Sequence, residues 1–279
     1  MQLRGIQKPD LVNVSNFLAR NLGGQGGAPR YLRILDTSWP VDRQNFGFLI
    51  EDESGILGVL GLIYSDRVID GTLRRLCNMT SWCVAEKHRR LSLSLLRAML
   101  DQPGYTFTNF SPTPGVAKIL ERCDFVQLDS VKYLIPAVAA GAPTGRARIA
   151  YRPEEVRALL SEDERKMFDD HSRYRCGQFA ISSSGRQCYV VTVRRGKRGL
   201  NFADVLYASR PELLEEHLGS LSMRASLHHR TPVLGVDSRY LRRSPRLAYQ
   251  LPRPSYFLGN GVSASNVAAI YSEIVSIYG

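Results

Sequence analysis

The sequence predicts two similar α/β domains in tandem, and three observations lead there. Apolar runs of β character alternate with segments of helical periodicity along the whole chain. A small-residue stretch interrupts them near the middle, and the order of elements before it returns after it. That stretch, "AVAAGAPTGRA" at 137–147, lacks either periodicity and reads as a linker between domains at 1–136 and 148–279.

In the first part, "PDLVNVSNFLARNL" spaces its apolar residues as a helix does, behind a Pro suited to the first turn. "FGFLIEDESGILGVLGLIY" is two apolar runs around an Asp-Glu-Ser-Gly turn, hence a β-hairpin. A third strand over about 72–84 enters the helix of "VAEKHRRLSLSLLRAML". "YTFTNF" then reads as strand, "GVAKILERC" as helix and "FVQLDSVKYLI" as ending in strand. In the second part, "YRPEEVRALL" again places Pro and acid at a helix start, and "QFAISSSGRQCYVVTV" is a hairpin. "LNFADVLYAS" is a strand entering the helix "PELLEEHLGSLSMRASL", "TPVLGVD" a strand and "NVAAIYSEIVSIY" a closing helix.

Hydrophobic residues make up 44% of the 279 and charged residues 23%, a composition that buries a core. The net charge of +11 leaves nucleic acid, acidic lipid and phosphorylated cofactors open as partners, although a dispersed basic surface accounts for it as well. No apolar stretch reaches the roughly 20 residues of a membrane span, and "MQLRGIQKPD" has no signal-peptide core, so a cytoplasmic protein is expected. Cys77, Cys83, Cys123, Cys176 and Cys188 form no C-x-x-C pair and no metal-ligand spacing, which implies reduced thiols and no metal.

The chemistry concentrates where the third strand meets its helix. Backbone N–H groups at a helix start lack intrahelical partners, and Lys87, His88, Arg89 and Arg90 stand beside this one, so the place suits a phosphate. In the second half the equivalent strand enters "RPELLEE", where acid in the first turn satisfies the helix dipole internally. "GGQGG" at 23–27 reads as a loop, and "RRGKRG" at 194–199 as a charged hairpin tip without interleaved aromatic stacking residues.

The element order, helix, hairpin, long strand, basic turn, helix, strand, helix, strand, resembles the GNAT superfamily of N-acetyltransferases. The family signature Arg/Gln-x-x-Gly-x-Gly/Ala aligns with Arg89, Arg90, Leu91, Ser92, Leu93 and Ser94, and "AKILERCDF" resembles the family's later helix end. The resemblance implies two GNAT-like domains, each a mixed, mostly antiparallel sheet flanked by helices, the second degenerate. It implies acetyl-CoA or another acyl-CoA as co-substrate, with Cys83 and Val84 against the pantetheine arm and Arg89 to Ser94 on the pyrophosphate. Ser92 and Ser94 replace the signature glycines, Asp124 stands where the family has Gly, and Leu120 stands where it often has the Tyr that protonates the leaving thiolate.

An amine acceptor needs a base; the polar candidates are Asn78, Thr80 and Ser81 on the long strand, with Glu86 and His88 at its end. The expected activity is acyl transfer to an amine or hydroxyl of a small molecule or peptide, with the second domain completing the acceptor pocket or a homodimer surface. A non-catalytic acyl-CoA sensor or scaffold, and a basic nucleic-acid-binding protein, are the other readings.

Overall fold

A computed structural model describes residues 1–39, 41–141, 147–197, 199–259 and 261–279. Within them the chain forms two mixed sheets of seven strands each, flanked by helices. Strands β1 (Gln2–Gly5), β2 (Gly47–Asp52), β3 (Gly55–Ile69), β4 (Thr72–Val84), β5 (Tyr105–Asn109) and β6 (Val126–Gln127) come first. Helices α1 (Leu11–Leu22), α2 (Gly27–Leu35), α3 (Ser92–Leu100) and α4 (Pro114–Arg122) lie between them. Then follow β7 (Val131–Pro136), β8 (Arg148–Ala150), α5 (Pro153–Leu159), α6 (Glu162–His171), β9 (Gly177–Ser183), β10 (Arg186–Lys197) and β11 (Leu200–Ala208). The chain ends with α7 (Pro211–Glu216), α8 (Leu218–His229), β12 (Val233–Asp237), β13 (Tyr249–Pro252), β14 (Tyr256–Leu258) and α9 (Glu273–Tyr278).

The first sheet has the order β1-β2-β3-β4-β5-β14-β6 and the second β13-β7-β12-β11-β10-β9-β8. In each, a long antiparallel hairpin is followed by one parallel pair, β4 with β5 and β11 with β12. Parallel neighbours need a crossover, and α3 in the first sheet and α7 with α8 in the second supply it. Leu60, Leu62 and Tyr64 alternate onto one face of β3 and pack with Leu95, Leu96, Met99 and Leu120. Phe179, Ile181, Val190 and Val205 do the same beneath Leu213, Leu214 and Leu221.

The chain divides into two compact units, and neither is a continuous stretch. The first comprises Met1–Gln127, Ser255–Val267 and Tyr271–Ile277, the second Leu128–Pro254, Ala268–Ile270 and Tyr278–Gly279. β7, which precedes the expected linker, pairs with β12 and β13, whereas β14 lies between β5 and β6. The sheets therefore divide the chain differently from a boundary at 137–147, of which 142–146 lie outside the described residues. Among the described residues no helix is long and apolar enough to cross a membrane.

"GGQGG" is a loop through Gly26, as read, with Gly23, Gly24, Gly26 and Gly27 all at positive φ, where only glycine sits without strain. Local readings differ from the structure in three places. A second helix, α2, starts at Gly27. The long helix expected after β11 breaks at His217 into α7 and α8. The closing helix is short, α9, with 3-10 turns before it.

Candidate functional site

The site is built where β4 and β5 part. Their parallel pairing runs from Arg75–Tyr105 to Asn78–Thr108 and ends there, so Met79 to Val84 carry no ladder partner on the β5 side. Toward β3 the register shifts at the same level: Ser81 and Trp82 together oppose Leu60, a β-bulge. Ser81 takes a left-handed conformation, φ 50°. A bulge adds local twist, which turns the end of β4 out of the plane it shared with β5.

Past Val84 the Ala85 N–H still donates to Leu57 O at 2.8 Å, and Glu86–Leu91 winds as a 3-10 segment into α3. The first turn of α3 has no side-chain cap and no acidic residue. Arg89 and Arg90 are exposed beside it, and Glu86 engages Arg89 only at 3.8 Å with both side chains in solvent. Ser92 has helical angles, φ −57° and ψ −44°, so this position needs no glycine. Leu93 and Ser94 are exposed, while Leu91 and Val84 rest on the core. Cys83 is buried and its thiol is pushed up by that burial, as a structural thiol would be. The structure thus gathers Arg89, Arg90, Ser92, Leu93 and Ser94 at one helix start. Ser81 lies at the bulge, and Glu86 and His88 lie beyond the strand end, on the helix side.

Asp124, at φ 62°, takes the left-handed position after α4 that the family's glycine would occupy, and Phe125 N–H caps the helix on Leu120 O at 3.1 Å. Leu120 itself is fully buried. It packs in the core with Leu95, Leu96 and Met99, so a donor at this position would be buried in apolar surroundings.

Of the polar candidates on β4, Asn78 belongs to a buried polar chain under the parting that sequence reasoning missed. Glu273 of α9 is 4% exposed, and its Oε2 accepts from Asn78 Nδ2 at 2.7 Å. Asn78 Oδ1 accepts from Thr108 Oγ1 at 3.2 Å, and Ser111 Oγ donates to Glu273 Oε1. Asn78 and Thr108 are the last ladder pair, so the carboxylate sits directly at the fork. Its neighbour Tyr271 is a core residue, edge-on to Trp39 at 5.2 Å.

The second sheet has the same fork, differently filled. β11 and β12 pair only at Ala203–Leu234 and Asp204–Gly235, and β11 carries a bulge at Leu206. Asp204, fully buried, meets Lys132 Nζ at 2.6 Å, Arg195 at 2.9 Å and Arg253 at 3.7 Å. Burial alone would raise the Asp204 carboxyl, but the three cations outweigh it and hold it well below the usual carboxylate range. Burial likewise pulls the Lys132 ammonium down to about 8, against the pull of Asp204. Beyond this fork, Leu213 and Leu214 N–H both donate to Arg210 O, and Glu212 stands in the first turn of α7.

No family model and no curated protein matches this sequence. Solved structures do. A GCN5-related N-acetyltransferase from Anabaena variabilis superposes at TM-score 0.61 with 10% identity, over 92% of this chain and 71% of that one. Eis1 from Mycobacterium abscessus gives 0.54 with 12% identity over 92% and 73%, and a GCN5-related N-acetyltransferase from Kribbella flavida 0.54 with 11% over 92% and 71%. The fold is that of the GCN5-related N-acetyltransferases, in tandem. At these identities the likeness is one of fold.

That fold implies an acyl-CoA co-substrate, and the first fork fits one. Its helix start has no side-chain cap and is flanked by cations, β4 offers a free edge for an extended arm, and among the described residues the buried Trp82 indole N–H has no partner. The second fork of this tandem acetyltransferase fold does not fit one, because Lys132, Arg195 and Arg253 are drawn onto Asp204 and Glu212 puts negative charge in the first turn of α7.

Proposed function

We propose that the protein transfers an acetyl or other acyl group from acyl-CoA to an amine or hydroxyl acceptor, a small molecule or peptide. The open junction of β4 and α3 carries this reading. Arg89, Arg90, the Ser92 hydroxyl and the N–H groups of Leu93 and Ser94 would hold the diphosphate, because charge and helix dipole act together there. The edge of β4 from Met79 to Val84, with Cys83 and Val84 nearest the helix, would pair with the pantetheine amides. The bound thioester supplies an activated acyl carbon, and positioning it beside the acceptor is the protein's chief contribution. Glu86 and His88 stand at the diphosphate end of this arrangement, Ser81 nearer the fork. The second unit would bind no donor.

Calorimetry with acetyl-CoA, CoA and longer acyl-CoAs tests the reading, paired with free-thiol release in the presence of amine acceptors. Binding of acetyl-CoA with thiol release supports it. Tight binding without release would make the chain an acyl-CoA sensor, and no binding would remove the assignment altogether.

A further inference from the structure

We infer that Ser111 and Glu273 form a proton relay for the acceptor, an inference that rests on the acyl-transfer reading above. Ser111 lies three residues past Thr108 on the β5 side, as Ser81 lies three past Asn78 on the β4 side, each beyond the last ladder pair of the fork. Ser111 is exposed, and its N–H is fixed by Asn109 Oδ1 at 3.0 Å. Its hydroxyl donates inward to Glu273 Oε1. The other carboxylate oxygen is held by Asn78. An exposed hydroxyl is thereby polarised by a buried carboxylate.

The environment of Glu273 points to chemistry rather than to packing. Buried carboxylates are normally paired with a cation, because the charge loses its hydration. Among the described residues Glu273 forms no ion pair; its partners are a neutral amide and a neutral hydroxyl. Asp204, in the other sheet, is buried at the corresponding place with three cations around it. Glu273 is thus a buried carboxylate with only neutral hydrogen-bond partners, one of them an exposed hydroxyl.

The step balances as follows. One proton of the acceptor ammonium passes to Ser111 Oγ while the Ser111 proton passes to Glu273 Oε1, which frees the nitrogen lone pair. The amine then attacks the thioester carbon, forming the C–N bond as the C–S bond breaks and the electron pair leaves on sulfur. The second N–H proton goes to the thiolate, and the proton on Glu273 returns through Ser111 to solvent.

The test uses the full-length protein with acetyl-CoA and two nucleophiles. Tyramine is an ammonium ion at neutral pH and must lose a proton, whereas hydroxylamine is already neutral there. Ser111→Ala and Glu273→Gln should each slow thiol release with tyramine by about 10²–10⁴-fold. The loss with hydroxylamine should be at least about tenfold smaller, and the double variant should be no slower than either single one. Acetyl-CoA affinity should stay within about twofold of wild type, since binding is set by the other side of the fork. In the free protein, a downfield hydroxyl proton resonance should vanish in both variants, which reads the Ser111–Glu273 bond without any turnover. Equal losses with both nucleophiles, additive losses, or a resonance that survives either change would overturn the relay. So would a wild type that binds acetyl-CoA yet releases no thiol with tyramine. A wild type that binds no acetyl-CoA would instead overturn the donor reading itself. Ser111 is exposed, so Ser111→Ala decides the matter even where Glu273→Gln disturbs folding.

Discussion

The β4–β5 fork and the β11–β12 fork share a topology and divide the work differently. Each has a long strand, a bulge and a parallel neighbour that pairs for only a few residues. At the first, cations stand outside at the helix start while a carboxylate lies inside with neutral partners. At the second, the cations are drawn inside onto Asp204, and Glu212 puts a negative charge in the first turn of the helix. Bulk charge is no guide to which fork takes an anion. The second unit holds 22 of the 37 basic residues and 13 of the 26 acidic ones, so it carries most of the net charge. What distinguishes a ligand site is charge left uncompensated at a backbone that can also donate.

The largest test of this contrast is Lys132→Met. Removing one partner of a buried ion pair leaves the other charge unmatched, which costs about 3–5 kcal/mol. Arg195 remains at 2.9 Å, so the lower end is expected. Hydrogen exchange should show lost protection in β7, β11 and β12, with β3 and β4 unchanged. Unchanged protection in the second sheet would mean that the cluster is not what closes that fork.

The same cluster sets a pH dependence. Asp204 titrates below its unfolded value, so between the two values the unfolded chain binds more protons than the folded one. Its contribution is therefore present above about pH 4 and is lost as the pH falls through the lowered folded value. Thermal melts from pH 6 down to pH 3 should show the second unit weakening first. Asp204→Asn should flatten that acid limb; an unaltered limb would assign it to other carboxylates.

At the first fork the matching experiment is Arg89→Ala. Charge-assisted contacts contribute about 1.5–3 kcal/mol each, so acetyl-CoA binding should weaken by roughly tenfold or more at low salt. Arg89 is exposed, and the effect should shrink as ionic strength rises. Arg210→Ala, at the corresponding helix start, should leave acetyl-CoA affinity unchanged. A loss at Arg210 equal to that at Arg89 would put the donor in the second unit.

How far the sequence announced these features follows from how local they are. The strand, basic turn and helix over 72–100 were readable because periodicity, positive residues and helix start all lie within one short stretch. The acid in "PELLEE" announced the negative first turn of α7 in the same way. Glu273 gave no such signal. It reaches Asn78 across 195 residues, and nothing near it in sequence marks a site. β14 is three residues long and β13 four, too short for an alternation pattern, so their exchange between sheets was hidden. Leu120 was aligned correctly to a helix but its surroundings were not legible, because burial depends on what packs against the helix.

The smallest expected effect sharpens the comparison at the bulges. Ser81 holds φ 50° in β4, whereas no residue of β11 has a positive φ. A left-handed non-glycine residue costs roughly 1–2 kcal/mol, and glycine gives back about 0.5–1 through the entropy of the unfolded chain. Ser81→Gly should therefore stabilise the first unit slightly, raising its melting temperature by about 1–3 °C. The bulge ends the ladder between β4 and β5, and a glycine there samples more backbone conformations than a serine. The free edge of β4 would then be less fixed, and acetyl-CoA affinity should fall by about two- to threefold. A variant that is more stable and binds less well identifies strain held in place for the ligand. If stability falls instead, the serine is making a contact that its conformation alone does not reveal, and the two bulges differ in packing rather than in strain.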